Sequence, residues 1–131
     1  MRPILLDTRV WLWMAGSPER LGNRARELVE DPERELLLSA ASSWEIAIKH
    51  AIGKLDLPGD PEELVPDWIV RSAVTPLPIH HTHALRVAAL PLHHSDPFDR
   101  LLVAQALLEE VPVLTADPAF GDYDVEVVAA E

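Results

Sequence analysis

Short, wholly apolar runs that stop at a turn or an acid, each followed by residues at helical spacing, constrain this chain more than any other feature. Ile4-Leu5-Leu6 is the first such run, and Asp7 ends it before Val10, Trp11 and Met14 take up a helical period. Leu36-Leu37-Leu38 is the second, followed by a helix read as opening at Ser42 and carrying Trp44, Ile46, Ala47 and Ile48 until Gly53 supplies a left-handed stop. Val111-Pro112-Val113-Leu114 is a third, closing at Thr115-Ala116-Asp117. Runs without polar alternation are buried on both faces, as in parallel strands covered by helices. Between them, residues 23–30 and 62–71 read as amphipathic helices, and helical spacing returns from Thr82 to Leu90. Pro76 and Pro78 restrict the strand read over 74–79 to a short or edge position, because proline cannot donate to a ladder. Asp96-Pro97 is a cap followed by a first-turn proline, opening a helix from Phe98 to Glu109, and 125–128 reads as a last strand. The alternation implies an α/β fold of three α/β/α layers around a central, mostly parallel sheet.

With 131 residues, 48% of them hydrophobic, the chain suffices for one packed core, so residues 1–131 are read as a single domain. The absence of cysteine excludes disulfides, thiolate zinc sites and cysteine nucleophiles. Met1-Arg2-Pro3 leads directly into the first apolar run without a signal-peptide pattern, and no run reaches bilayer length, so the expectation is a soluble cytoplasmic protein with no membrane contact. The net charge of −11, from 22 acids and 11 bases, sits badly with nucleic-acid binding, which usually goes with a basic surface. A nucleic-acid enzyme of this composition needs an uneven charge distribution, screening cations or a basic partner.

Where the acids fall decides the matter. Asp7 and Asp117 each follow a strand, while Glu45, Asp96 and Asp99 are read in the first turns of helices. In a parallel sheet, strand C-termini and the following helix starts share one rim, where ligands bind. Carboxylates gathered there repel by ~4 kcal/mol per pair about 4 Å apart at an effective dielectric near 20, a conflict that a hard divalent cation such as Mg²⁺ or Mn²⁺ resolves. Each acid also admits a structural reading. Asp7 and Asp96 sit at cap positions, Asp99 complements a helix dipole, Asp117-Pro118 is a turn, and Ser42-Ser43-Trp44-Glu45 fits a capping box. Spacing alone leaves caps and ligands open.

The histidines His50, His80, His81, His83, His93 and His94 lack the i, i+4 spacing of a helical zinc motif and are read as solvated surface residues. Of the four tryptophans, Trp44 and Trp68 read as core, whereas Trp11 and Trp13 face different directions on one helix. One of that pair is a candidate for a dimer or partner surface.

Taken together, these segments resemble the PIN-domain nucleases, and within them the VapC-like toxins of type II toxin–antitoxin systems. Leu5-Leu6-Asp7-Thr8 is similar to the opening strand of that family. Its second motif is resembled by residues 39–49, Ser-Ala-Ala-Ser-Ser-Trp-Glu-Ile-Ala-Ile-Lys, followed by Gly53-Lys54-Leu55. Residues 93–106, from His93-His94-Ser95-Asp96-Pro97-Phe98-Asp99-Arg100 to Ala106, carry the most specific likeness, and Thr115-Ala116-Asp117-Pro118-Ala119-Phe120 resembles the closing motif. The resemblance implies an acidic site of Asp7, Glu45, Asp99 and Asp117, with Asp7 and Asp99 as direct ligands of Mg²⁺ or Mn²⁺ and Asp96 as an additional one. It implies RNA phosphodiester hydrolysis, neutralisation by a cognate antitoxin and homodimerisation. Thr8, Thr115 and Arg100 are candidates for steadying acids or phosphate, Arg100 equally for a surface ion pair. Arg9 stands where many members have histidine. Two other acid-based enzyme classes fail on the residues: an aspartyl-phosphate phosphatase needs an acid where Arg9 stands, and a receiver domain needs paired acids after the first strand and a late lysine. The non-enzymatic alternative is an inactive acidic interaction module of the same fold.

Overall fold

The computed structural model describes residues 2–131; Met1, from which the N-terminal reading starts, lies outside them. The strands are β1 (Ile4–Leu6), β2 (Leu36–Ser39), β3 (Thr75–Leu77), β4 (Val113–Thr115) and β5 (Val127–Ala129). The helices are α1 (Thr8–Gly16), α2 (Asn23–Glu30), α3 (Ala40–Ala51), α4 (Pro61–Ser72), α5 (His81–Arg86) and α6 (Pro97–Glu109). All paired strands run parallel in the order β3-β2-β1-β4-β5. The chain thus builds outward from β1 to β3, then returns to lay β4 on the other side of β1. The β1/β4 boundary is a topological switch point, where loops diverge and leave a crevice at the strand C-termini.

The apolar runs behave as two-faced strands. Ile4, Leu6, Leu36, Leu38 and Leu114 face one core with Val10, Trp11 and Trp13 of α1, Ala25 of α2 and Val65 of α4. Leu5, Leu37 and Val113 face the other with Leu101, Leu102, Val103 and Ala106 of α6. Helix α3 contributes Ile46 to the first core and Ala41 to the second. This is the expected three-layer α/β/α arrangement.

Several local readings shift. Helix α3 starts at Ala40, not Ser42: the Ser39 side chain caps it by accepting from the Ala41 amide at 3.0 Å. Glu45 therefore lies beyond the first turn, and the capping-box reading fails. The proline-bearing third strand shrinks to Thr75–Leu77, and it is an edge strand, where Pro76 needs no second neighbour. The helix read to Leu90 ends at Arg86 and tightens into a 3₁₀ turn at Val87–Ala89. Trp11 and Trp13 are both buried; Trp11 donates to Ser72 Oγ at 3.0 Å and meets Trp68 edge-on. The exposed tryptophan is Trp44, 53% accessible, packed edge-on against Phe98. His83 is not solvated but buried. Its ring Nδ1 accepts from the His80 amide at 3.0 Å.

Candidate active site

One open cleft of about 480 Å³ lies at the C-terminal rim of β1 and β4, and Asp7, Glu45, Asp96, Asp99 and Asp117 all line it. The chain brings together every acid that the sequence marks.

Asp7 leaves β1 with its amide bound to the Leu114 carbonyl at 3.0 Å, which fixes it beside β4. It stands at the N-cap position of α1, yet its side chain makes no capping hydrogen bond. Instead Thr115 Oγ1 donates to Asp7 Oδ2 at 2.7 Å and accepts the Asp117 amide at 3.0 Å, so one hydroxyl orients two acids. Thr8 Oγ1 donates to Ser42 Oγ at 2.8 Å, tying α1 to α3 under the cleft.

Glu45 projects from α3 with only 6% exposure. Lys49, one turn on, pairs with its Oε2. Its Oε1 is buried without any hydrogen-bond partner. An orphaned anionic oxygen is costly in a protein interior, and a cation at that position would satisfy it.

Asp99 stands in the first turn of α6, while Asp96 caps that helix, its Oδ1 accepting from the Phe98 and Asp99 amides at 2.8 and 3.3 Å. Asp96 is thus both cap and cleft wall. Asp117 likewise uses Oδ1 to accept the Ala119 amide at 2.9 Å, leaving Oδ2 toward the cleft.

His94 joins this group, although the sequence offered only its place in the His93-His94 pair two residues before Asp96. Its Nε2 lies 2.9 Å from Asp99 Oδ2 and 3.3 Å from Asp117 Oδ2. The three side chains offer ligand atoms within 4.8 Å of one another. His94 Nδ1 accepts the Asp96 amide at 3.2 Å, which leaves Nε2 as the ring's donor, hydrogen-bonded to Asp117 Oδ2. The His94 amide donates to the Tyr123 hydroxyl at 2.9 Å. Arg100 forms no ion pair with an acid among the described residues. Its guanidinium donates to the carbonyls of Pro91 and Val87, both at 2.9 Å, and to Tyr123, binding the preceding loop to α6.

The electrostatics follow from this crowding. Burial, with the charges of Glu45 and Asp117, holds the Asp7 carboxyl above its ordinary value against the Thr115 hydrogen bond and Arg9. Asp99 is pushed up to about 7, first by burial and then by Asp7, Asp96 and Glu45, with His94 opposing. Burial would lower Lys49, but the Glu45 hydrogen bond and charge, with Asp96 and Asp99, outweigh it and raise the ammonium above its usual value. Among the described residues, Lys49 is the only lysine or arginine ion-paired with one of these five acids. Hard oxygen donors in this number suit a divalent cation that retains water.

A family model described as the PIN domain matches residues 4–126. The chain belongs to the PIN-domain family. A 61-residue stretch of this PIN domain is 44% identical to ribonuclease VapC16 of Mycobacterium tuberculosis, covering 47% of this chain and 43% of that protein. The matched stretch therefore spans less than half the length of that relative. Among solved structures, the PIN domain is similar to VapBC2 from Rickettsia felis bound to a promoter DNA fragment. There the TM-score is 0.73 at 12% identity, with 99% of this chain and all of that chain covered. It is also similar to DNA-bound VapBC from Salmonella typhimurium, with a TM-score of 0.69 at 16% identity over the full length of both chains. At these identities the structural likeness establishes the fold. Among the described residues, no helix is long and apolar enough to cross a membrane.

Proposed function

We propose that this PIN domain, taken as one unit over the whole chain, is a metal-dependent endoribonuclease and the toxin of a toxin–antitoxin pair. The observation that carries the reading is the convergence of Asp7, Glu45, Asp99 and Asp117 on one cleft, with Glu45 Oε1 orphaned and Asp99 pushed up to about 7. The likeness to a protein named a ribonuclease and to VapBC complexes supports it.

Asp7 and Asp99 are the direct ligands in this reading, with Glu45 and Asp117 completing the set and Asp96 at its edge. Bound Mg²⁺ or Mn²⁺ would supply Lewis-acid stabilisation of the phosphodiester and lower the pKa of an attacking water. The protein's own contribution is orientation. Thr115 fixes Asp7 relative to Asp117, and the Ala119 amide and His94 Nε2 fix Asp117, each by a hydrogen bond already formed, while the same His94 nitrogen lies 2.9 Å from Asp99 Oδ2. Hydrolysis with water as nucleophile needs no covalent enzyme intermediate, consistent with a cleft that holds carboxylates and no cysteine. An antitoxin that extends basic side chains into this acidic cleft would neutralise the enzyme, and the active toxin is read as a homodimer in the cytoplasm.

The test is incubation of purified, antitoxin-free protein and Asp99→Asn with a mixture of transfer, ribosomal and messenger RNA, in Mg²⁺, Mn²⁺ or EDTA. Cleavage that needs metal and vanishes in Asp99→Asn is expected. Intact RNA in every lane from folded, metal-bound protein would instead favour an inactive interaction module.

A further inference from the structure

The distribution of positive charge goes beyond the acidic centre. The chain has twice as many acids as bases, yet four cations, Arg9, Arg20, Lys49 and Lys54, stand beside the five carboxylates of this one cleft. Both lysines of the chain are among them. Two elements deliver them in matching fashion. Arg9 lies in the first turn of α1 and Arg20 in the 3₁₀ turn after that helix; Lys49 lies in the last turn of α3 and Lys54 just after it.

Local contacts place three of the four on the cleft wall. The Arg20 guanidinium lies 4.6 Å from the ring centroid of the buried Trp13, which fixes a long side chain at low entropic cost. Gly53 adopts φ +75, and the chain reverses there so that the Lys54 amide donates to the Lys49 carbonyl at 2.8 Å. That turn puts Lys54 on the wall that Lys49 occupies. Lys49 is committed to Glu45, but no carboxylate forms an ion pair with Arg9, Arg20 or Lys54 among the described residues. Three exposed cations without ion-pair partners, on two walls of one cleft, offer a path for a polyanion toward the acidic centre.

We propose that Arg9, Arg20 and Lys54 form a phosphate-binding track that carries the backbone of single-stranded RNA across the α1 and α3 walls into the acidic centre. The track rests on the nuclease reading above and adds to it the residues that admit the substrate. It makes the formal charge of −11 compatible with RNA, because binding depends on the local potential of the cleft and not on the sum over the molecule. Phosphate contacts of this kind hold the strand and carry no sequence information.

The experiment measures binding apart from cleavage. Asp99→Asn protein in EDTA is titrated against fluorescent single-stranded RNA over a range of salt concentrations, alone and with Arg9→Gln, Arg20→Gln and Lys54→Gln combined. Each lost phosphate contact is expected to reduce the slope of log affinity against log salt by about 0.7, so the triple change should reduce it by about 2 and weaken binding at least roughly tenfold at low salt. Arg24→Gln with Arg86→Gln, exposed and outside the cleft, should leave the slope unchanged. Circular dichroism melts report whether the variants fold, and each cation replaced singly by glutamine gives a second series if the triple variant does not. A slope unaltered by loss of the three cations, or reduced equally by the control pair, overturns the track. Cleavage by the parent protein in metal then separates the two proposals: RNA cut despite an unaltered slope sinks the track alone, whereas RNA neither bound nor cut sinks both.

Discussion

Asp99 and His94 show how single residues acquire chemistry from their neighbours. The Asp99 carboxyl rises from an ordinary 3.8 to about 7 because it is buried among three other acids. A folded-state value above the unfolded one means that, between those two values, the folded protein keeps a proton the unfolded chain has released. This group's contribution to stability therefore falls as pH rises through that window; below it both states are protonated, and above it the penalty is complete. Metal-free wild-type protein is expected to lose more Tm between about pH 5 and about pH 8 than Asp99→Asn does, measured by scanning calorimetry. Parallel curves would show that Asp99 is not the group responsible. His94 lends itself to a different measurement. Its Nε2 lies against the Asp99 and Asp117 oxygens that it orients, so His94→Ala is expected to bind Mn²⁺ roughly tenfold more weakly in calorimetric titration. Tighter binding would show instead that the ring only competes with a cation for those oxygens.

At the scale of elements, the ends of helices explain which sequence signals can be trusted. Asp96-Pro97 reads correctly from sequence because cap and proline act within one turn. Ser42 to Glu45 reads wrongly because two serine positions compete for the start of α3, and Ser39, the last residue of β2, takes the role as soon as the strand is placed. The C-terminus of α6 carries a strained residue: Glu110 adopts φ 56, a left-handed conformation that a side chain disfavours, and it adds negative charge where the helix dipole is already negative. Glu110→Gly is expected to stabilise the protein by about 1 kcal/mol in urea unfolding. A loss of stability would mean that the Glu110 side chain makes a contact worth more than the strain. The loop before α6 is held by Arg100 and Tyr123, whose hydroxyl accepts the His94 amide. Removing that hydroxyl in Tyr123→Phe should cost roughly 1 kcal/mol and also lower cleavage, because His94 loses its support. Unchanged activity would separate the loop from the site.

At the scale of the molecule, the sheet is buried on both faces and the two cores share β1. Leu5 faces the α6 side and Leu6 the α1 side, and neither is accessible. Leu5→Ala and Leu6→Ala should therefore each cost roughly 2–5 kcal/mol, a similar loss from opposite layers, read from denaturant midpoints. A marked asymmetry would show that one layer collapses around the gap more easily than the other. The same three-layer arrangement joins Asp7, Asp117 and the α3 and α6 acids, because β1 and β4 are adjacent while being separated by most of the chain.

What the sequence by itself determined was local and periodic. Three polar-free runs imposed a doubly covered sheet, Pro76 confined its strand to an edge, and Asp96-Pro97 started α6. The motif acids marked the candidate site, since each stands at a strand end or within a helix whose type a few neighbours dictate. Tertiary structure decided the rest. Burial of Trp11 and Trp13 in place of Trp44, the entry of His94 between Asp99 and Asp117, the orphaning of Glu45 Oε1 and the gathering of Arg9, Arg20 and Lys54 all depend on strand order and on how helices lie across the sheet. Hydrophobic period and capping act over one or two turns, so they are written in consecutive residues. The electrostatics of a cleft acts between groups that only the folded chain brings within a few ångströms.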